Sequence, residues 1–238
     1  MRKNYFIKLV KYMKNVYNIE TGLNKLTDER INPTYDTEKV VTLMLLGFLL
    51  RSKSFNELNL IIKNNELNKL FPKGTRQPLV DTIRDTLKVI DIKGLKQINE
   101  YIIKKAVENK VFENRTIEGY IVVDIDGTKF FGSNKKSCPE CLKNKTHCFY
   151  NGAVMSIVGE GSKLVIDFEN YRAGKDSASK NEGEQNVTKR LPTDVVSIHK
   201  NLIEVVVYDA LACNSVWINH CIEHGVDGIV RTKNMTLI

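Results

Sequence analysis

The sequence predicts an α/β protein in which an N-terminal helical bundle is followed by a mixed β-sheet flanked by helices. In residues 1–115, apolar side chains recur at three- and four-residue steps, as they do along amphipathic helices. From residue 116 onward, short runs rich in β-branched and aromatic residues replace that spacing. The chain has 238 residues, of which 42% are hydrophobic, enough for one large domain or two smaller ones. We therefore predict two domains, 1–115 and 116–238.

The first half is predicted to contain five helices. Asp36 is placed to cap the second helix, and Ser54 or Asn56 to cap the third. Pro72 and Gly74 interrupt the apolar pattern and separate the third helix from the fourth. The predicted ranges are 5–19, 37–50, from the cap to 70, 79–90 and 93–111.

The second half is predicted to be a sheet with helices packed on it. Strands are predicted at 120–125, 149–158, 164–170, 203–208 and 228–231, and helices at 182–190 and 215–224. A hairpin run of strands followed by alternating helix and strand is typical of a layered α/β domain. The polar segment 175–181 is predicted to be a loop.

Charge is distributed unevenly between the two halves. The whole chain carries +8, but residues 1–115 hold 22 basic against 13 acidic residues, and residues 116–238 hold 14 against 15. A net charge of +9 on one half favours a polyanionic partner, and nucleic acid is the leading candidate. The alternative is a lysine-rich helix surface that is merely solvated.

Location follows from what the sequence lacks. The most apolar stretch, 40–50, is too short to span a bilayer, and the basic N-terminus is not followed by the apolar core of a signal peptide. Five cysteines, with only one closely spaced pair, argue against a disulfide framework. We expect a soluble cytoplasmic protein with no membrane partner.

Acidic residues at predicted strand ends carry the strongest chemical signal. Asp124 and Asp126 are two residues apart in an apolar strand, so both face the same side, and Gly127 is expected to let the backbone turn after them. Asp209 ends a second apolar strand. Neighbouring carboxylates repel unless a hard cation lies between them, and Mg²⁺ takes such oxygen ligands. The alternative is that one acid caps a turn or helix, as Asp209 would for the helix that follows it.

A second candidate metal site lies between the first two strands. Cys138 and Cys141 form a Cys-x-x-Cys pair, and His147 and Cys148 follow closely. Four such residues have the composition of a compact structural zinc site. Adjacent residues of a regular strand point to opposite faces, which weakens the case for His147 with Cys148. The alternative is reduced cysteines in a surface loop.

The order of motifs in residues 118–234 resembles the DDE transposases of insertion sequences, which have a ribonuclease-H-like catalytic domain. The matching segments are VVDIDGTKFF, CPECL, YNGAVMSIVG, EGEQNVTKRL, VVVYDALACN and GVDGIVRTKN. The resemblance implies that Asp126 and Asp209 are catalytic and bind Mg²⁺ or Mn²⁺, Asp126 bridging two ions. Asp124 has no counterpart in the family, and we expect it to be a neighbour on the same face that tunes the site. It further implies DNA ends and target DNA as partners, a homodimer on DNA, and a nucleoid-associated protein.

The third acid of the resembling family, a Glu on a helix beyond GIVRTKN, has no counterpart in these 238 residues. We therefore expect a transposase truncated at its C-terminus and with little turnover. The alternative is a non-catalytic remnant that occupies transposon ends, and a less favoured one is an unrelated nuclease with a third acid elsewhere in the chain. Lys189 and Arg190, on the helix after the polar loop, are candidate contacts to a DNA phosphate, although a solvated helix face also explains them.

Overall fold

A computed structural model describes residues 3–138, 141–144, 147–173, 184–209 and 213–232. The chain divides into two compact units, Met1–Lys105 and Ala106–Ile238, which are described separately. The division falls inside the last helix of the first half, whereas the change in composition comes at residue 115. The polar segment 175–181, predicted to be a loop, lies outside the described residues, as do the first two residues of the helix predicted at 182–190.

The first unit is helical, as predicted. Two apolar clusters hold it together, one formed mainly by α1, α3, α4 and α5 and the other by α2 and α6. Val40, Leu43 and Ile83 are fully buried in the first cluster. The helices are α1 (Lys3–Val16), α2 (Ile19–Leu23), α3 (Thr37–Leu49), α4 (Phe55–Lys63), α5 (Val80–Leu87) and α6 (Ile92–Glu108), with a 3-10 turn at Asn68–Leu70.

Two predicted helices are shorter than expected, and asparagines explain both breaks. The helix predicted at 5–19 ends at Val16, because Asn18 adopts a left-handed conformation with φ 46°. The helix predicted to reach residue 70 ends at Lys63, and Asn65 is again left-handed at φ 58°. Asparagine enters this region more readily than most residues, so it ends a helix that apolar spacing alone would continue.

Only one of the predicted helix caps forms. The Ser54 hydroxyl accepts a hydrogen bond from the Glu57 backbone N–H at 3.2 Å, and the Glu57 carboxylate accepts one from the Lys53 N–H at 2.6 Å. Asp36 occupies the N-cap position of α3, but its side chain makes no capping bond. Both residues are at the predicted N-cap positions, and of the two only the Ser54 side chain makes the capping hydrogen bond.

Asp28 anchors the segment between α2 and α3. Its buried carboxylate accepts hydrogen bonds from Arg30 Nε at 2.8 Å and Nη2 at 2.7 Å, and from the Thr37 hydroxyl at 2.5 Å. These bonds, those from Arg30 above all, hold the pKa of Asp28 well below its usual value. Arg30 also donates to the Tyr35 carbonyl at 2.9 Å, so one ion pair fixes both ends of the loop.

The second unit contains an open mixed sheet of six described strands. Its strand order is β2-β3-β1-β5-β6, and β4 pairs with β3. β1 runs antiparallel to β3, which runs antiparallel to β2 and β4, whereas β5 and β6 run parallel to β1. The strands are β1 (Val122–Ser133), β2 (Leu142–Asn144), β3 (His147–Val158), β4 (Val165–Asn170), β5 (Val205–Tyr208) and β6 (Asp227–Val230).

The two helices described in this unit, α7 (Glu184–Ile198) and α8 (Ser215–Glu223), pack on the same side of the sheet. α8 places Trp217 against Gly228 of β6 and the Tyr208 ring of β5, and α7 packs along β3 and β4. We call this side the helix face. The other side, which carries Asp124 and Asp126, we call the Asp126 face.

Alternating burial along β3 matches these two faces. Ala153, Met155 and Ile157 are buried toward the helices, whereas Val154, Ser156 and Val158 are partly exposed. Strand pairing carries the same alternation across the sheet, because paired residues project to the same side.

The sequence analysis misplaces three features of this unit. β1 does not turn at Gly127; it continues to Ser133, and Gly127 pairs with Ala153 in mid-strand. β2 was not predicted, because three residues are too few to show alternation. α7 continues through Pro192 to Ile198, beyond the predicted end at 190. Burial of Val187, Leu191 and Val195 along one stripe of α7 offsets the hydrogen bond that the proline removes.

Glu204 joins the starts of β1 and β5. Its carboxylate accepts a hydrogen bond from the Ile121 backbone N–H at 2.7 Å and lies 3.1 Å from Arg115 Nη1. This contact lies beside Val122 and Val205, the first paired residues of β1 and β5, and so helps to fix the register of the two parallel strands. No helix in the described part of the chain is long and apolar enough to cross a membrane.

Candidate functional site

The parallel pairing of β1 with β5 brings the segments that carry the two predicted catalytic acids next to each other. Asp124 is paired with Val207, the last registered pair of this ladder. Asp126 lies two residues beyond Asp124, and Asp209, the first residue after β5, lies two residues beyond Val207. Both acids are exposed. The ladder therefore ends two residues before each acid, on neighbouring strands whose acids are 83 residues apart in the chain.

Asp126 also has defined neighbours on its other side. In the antiparallel ladders it pairs with Val154 of β3, which pairs in turn with Phe168 of β4. Asp124 pairs with Ser156, one pleat further from the exposed end. The Asp126 face thus presents a row of two acids flanked by apolar and small polar side chains.

The pKa of Asp124 is raised by its surroundings. Partial burial raises the pKa of Asp124 above its ordinary value, and the negative charge of Asp126 raises it further, while a hydrogen bond from the Ile125 N–H opposes the rise. The two carboxylates therefore share one face, as the spacing in the sequence predicts. A cation beside them would relieve the repulsion.

Asp209 is not the cap of the helix that follows it. The N-cap of α8 is Asn214, whose side-chain oxygen accepts a hydrogen bond from the Trp217 N–H at 3.0 Å. Residues 210–212 lie outside the described residues. The capping alternative for Asp209 is therefore wrong, at least for α8.

A second group of acids lies on the opposite side of the sheet. Asp167 and Glu169 of β4 and Asp194 of α7 each offer a carboxylate oxygen, and these atoms lie within 4.8 Å of one another. Asp167 pairs with Met155 and Glu169 with Ala153, which places both on the helix face. This is the one group of three or more metal-type ligands that converges among the described residues.

The sequence analysis missed this helix-face group. Asp167 and Glu169 show the same two-residue spacing as Asp124 and Asp126, so that part of the signal was present. Asp194 lies beyond Pro192, where the predicted helix had already ended. The group has a cation beside it, since Arg190 Nε lies 3.6 Å from Glu169 Oε2.

The predicted zinc ligands are spread over several environments. Cys141 Sγ is buried and donates to the Cys138 carbonyl at 3.0 Å, while Cys138 Sγ contacts the Tyr150 hydroxyl. His147 and Cys148 are consecutive residues of β3, so their side chains project to opposite faces. All five cysteines are unpaired thiols. Zinc binding here stays a prediction.

Both ring nitrogens of His147 have protein neighbours. Nε2 lies 3.1 Å from Lys129 Nζ, and Nδ1 lies 2.6 Å from the Asn134 side-chain oxygen. Its ring stacks on Phe149, with 5.8 Å between the centroids. His147 thus takes part in a cluster on the β1–β3 hairpin that the sequence analysis did not foresee.

The two predicted phosphate contacts on α7 differ from each other. Arg190 is directed at the sheet: besides its ion pair with Glu169, it donates to the Asn170 carbonyl at 3.3 Å. Lys189 is partly exposed, and its carbonyl accepts from the Thr193 hydroxyl and lies 2.9 Å from His220 Nε2. The Arg190 guanidinium is engaged within the protein, so of this pair Lys189 is the better placed for an external phosphate.

Comparison with models of known protein families gives no match for this chain. A search of curated proteins likewise finds none that matches it. The geometry of the site therefore carries the functional argument.

Proposed function

We propose that the second unit carries a divalent-cation site for phosphodiester chemistry on DNA, of the kind found in insertion-sequence DDE transposases. The observation that carries the proposal is the β1–β5 register, which pairs Asp124 with Val207, so that the same register continued by two residues would bring Asp126 beside Asp209. An antiparallel run of strands followed by two parallel strands also agrees with the mixed sheet that the family resemblance implies.

The residues present fit such a cation. Asp126 and Asp209 are exposed at neighbouring strands, and carboxylate oxygens are the ligands that Mg²⁺ and Mn²⁺ prefer. Partial burial raises the pKa of Asp124, and the nearby charge of Asp126 adds to the rise. When bound, a divalent cation would activate an attacking oxygen and stabilise the leaving oxygen of a DNA phosphodiester.

The chain's own residues have distinct roles in this proposal. Asp126 and Asp209 would hold the cation from two strands, so that its position is set by the register of the sheet. Asp124 would raise the local negative charge without reaching as far into solvent, because it is more buried than Asp126. The helix-face acids cannot supply a third ligand, since Asp167 and Glu169 project from the other side of the sheet.

A second candidate function is DNA binding without catalysis, and the charge of the first unit favours it. Residues 1–105 carry 20 basic against 11 acidic residues, whereas residues 106–238 carry 16 against 17. This function needs no cation at Asp126. Its signature is affinity for duplex DNA that falls steeply with salt and is unchanged by Asp126→Ala.

Binding of Mn²⁺ by the full chain tests the first candidate. We expect Asp126→Ala and Asp209→Ala each to weaken Mn²⁺ binding by about tenfold or more, as measured by calorimetry or by the electron paramagnetic resonance signal of free Mn²⁺. Asp227→Ala is the matched control, because Asp227 is an exposed acid at the opposite end of β6. Equal weakening by all three substitutions would mean that the acids act only through net charge.

Cleavage of the backbone by bound iron locates the ion. With Fe²⁺, ascorbate and peroxide, we expect cuts close to residues 126 and 209, and Asp126→Ala should abolish them. Cuts near residues 167 and 194 would instead assign the cation to the helix-face acids and contradict the proposal. Both measurements are independent of turnover.

A further inference from the structure

The hairpin formed by the end of β1, by β2 and by the start of β3 is the basic part of an otherwise acidic unit. Residues 128–149, which we call the basic arm, contain five lysines and one glutamate. The remainder of residues 106–238 contains 11 basic and 16 acidic residues. Lys129, Lys135, Lys136 and Lys143 are exposed. A local concentration of lysines in an acidic unit indicates a polyanionic partner for the arm itself.

Two exposed phenylalanines accompany these lysines. Phe130 and Phe131 are 49% and 48% exposed, although both lie within β1. Lys129 pairs with Asn151 and Phe131 pairs with Tyr150, so Phe130 is an extra residue at a β-bulge. Bulges redirect side chains, and this one brings two consecutive aromatic residues to the same side of the strand.

Contacts of Phe130 identify that side as the Asp126 face. The Phe130 ring lies directly over Gly152, where an added Cβ would be 2.5 Å from Phe130 Cε2. Gly152 pairs with Thr128, which is two residues from Asp126 and shares its face. One side of the ring is therefore supported by backbone, and the ring remains half exposed.

The distance to the acids is short. Phe130 follows Asp126 by four residues, or about 13 Å along an extended strand. The lysines of the arm continue the same strand and its hairpin beyond Phe131. On the opposite face, Lys129 Nζ lies 3.1 Å from His147 Nε2 and 5.6 Å from the centre of the Phe149 ring, so its position is fixed by two partners.

We propose that Phe130 and Phe131, together with Lys135, Lys136 and Lys143 of the basic arm, form a stacking platform for unpaired nucleotides of a DNA strand next to Asp126 and Asp209. The idea that the bound strand lies next to catalytic acids rests on the proposed function. The idea that the rings and lysines bind a single strand does not. Aromatic rings beside lysines bind single strands because every base offers a π-face and every nucleotide a phosphate. In a duplex the bases are stacked on each other, so a duplex would use the lysines but not the rings.

Photocrosslinking of the full chain locates the bound strand. The probe is a single-stranded oligodeoxythymidine of about 20 nucleotides that contains 5-bromodeoxyuridine, with EDTA present. We expect the crosslinked peptide to contain Phe130 or Phe131. Crosslinks confined to residues 3–105 would overturn the proposal. Because no divalent cation is present, this outcome is independent of whether Asp126 and Asp209 bind Mn²⁺.

Substitution of the rings tests stacking. Phe130→Leu keeps an apolar side chain over Gly152 but removes the aromatic face, so we expect at least about a fivefold loss of affinity for the single strand and no change for a duplex of the same length. Phe55→Leu, at a 41% exposed phenylalanine of the first unit, is the matched control and should have no effect. Equal effects of the two substitutions, or equal losses for single strand and duplex, would overturn stacking at Phe130.

Substitution of the lysines tests the electrostatic part. Replacing both Lys135 and Lys136 by Gln should reduce the salt slope of single-strand binding by about 1.4, since each phosphate contact contributes about 0.7. Replacing Lys163 and Lys200, exposed lysines of the same unit outside the arm, should leave the slope unchanged. If Phe130→Leu instead abolishes self-association and leaves DNA binding intact, the rings are an interface between copies of this chain and the proposal is wrong.

Discussion

The two faces of the sheet carry acidic groups of similar composition in opposite environments. On the helix face, Asp167, Glu169 and Asp194 converge between β4 and α7, and Arg190 lies beside them. On the Asp126 face, the two exposed acids come from two segments, and the pKa of a third, Asp124, is raised by partial burial and by the charge of Asp126. The first group has a cation of the chain beside one of its carboxylates. The second group is the one at which we propose that an external cation binds.

The difference between the two groups shows what convergence of carboxylates needs beside it. The helix-face acids converge between a strand and a helix and have Arg190 beside them. The acids of the Asp126 face are more exposed, and Asp209 directly follows the end of β5, the kind of position at which α/β sheets place their ligands. Differences in packing, charge and cation binding between the two faces are measurable.

The largest expected difference concerns packing. Val206 and Val207 are consecutive residues of β5; Val206 is fully buried on the helix face and Val207 is partly exposed on the Asp126 face. We expect Val206→Ala to lower the free energy of unfolding by about 2–3 kcal/mol and Val207→Ala by less than about 1 kcal/mol. Urea unfolding of the two variants measures both. Equal losses would mean that the Asp126 face is packed as tightly as the helix face.

The next prediction uses two glycines that share the β1–β3 hairpin. A Cβ on Gly152, on the Asp126 face, would lie 2.6 Å from the Glu169 carbonyl oxygen and 2.5 Å from the Phe130 ring. A Cβ on Gly132 would meet only the ends of His147 and Lys129, at 2.8 Å. We expect Gly152→Ala to cost about 2 kcal/mol and Gly132→Ala less than about 1 kcal/mol, because a flexible side chain moves more easily than backbone.

Thermal or urea unfolding checks the glycine pair. The Gly152→Ala variant should also show weaker single-strand binding, since the Phe130 ring is displaced. A stable Gly152→Ala variant with unchanged binding would contradict the position that we assign to Phe130.

Removing the Arg190 guanidinium should have a smaller effect on the free energy of unfolding. Arg190→Gln leaves the carboxylates of the helix-face group without their guanidinium, and we expect a loss of about 1.5 kcal/mol in the free energy of unfolding at pH 7. Lys189→Gln, at the neighbouring and less engaged position, should change it by less than about 0.5 kcal/mol. If Arg190→Gln also creates a new Mn²⁺ site, as seen in the iron-cleavage pattern, the arginine is what keeps a cation out of this group.

The smallest change in the free energy of unfolding is expected at Asp124. Here the substitution should stabilise the protein, whereas the preceding ones destabilise it. A carboxyl whose pKa is raised in the folded state destabilises the protein when it is ionised, so stability should increase as the pH falls through that raised pKa toward the ordinary value near 3.8. Asp124→Asn should therefore be more stable than the parent at pH 7, by about 0.5 kcal/mol, and should lose this part of the pH dependence. Urea titrations at pH 7 and pH 4 give the comparison. A less stable variant at pH 7 would indicate that Asp124 already has a stabilising cation beside it.

Asp28 in the first unit serves as the reference for these acids, since its pKa is shifted in the opposite direction. Its stabilising contribution is present above the ordinary carboxyl pKa and is lost progressively as the pH falls from there toward the lowered value. Asp28 therefore contributes little to the change in stability between pH 7 and pH 4, and the difference between Asp124→Asn and the parent isolates the contribution of Asp124.

Local sequence determined much of the fold. Apolar spacing gave the helices of the first unit and β-branched runs gave five of the six described strands, because burial of one side of an element leaves a periodic trace. The pairing of Asp124 with Asp126 on one face follows from the two-residue period of a strand, and the cap at Ser54 follows from the residue type at a helix start. The sequence shows that residues 18 and 65 are asparagines, but it does not show that they adopt a left-handed conformation.

Only the tertiary structure decided which acids meet and on which side. The approach of the Asp126 segment to the Asp209 segment depends on the β1–β5 register, fixed in part by Glu204 and Arg115 from outside both strands. The continuation of α7 past Pro192 depends on burial against the sheet, and it alone brings Asp194 to Asp167. The bulge at Phe130 arises from pairing with β3. Each of these is a contact between segments distant in the chain, and periodicity within a segment carries no information about its partner.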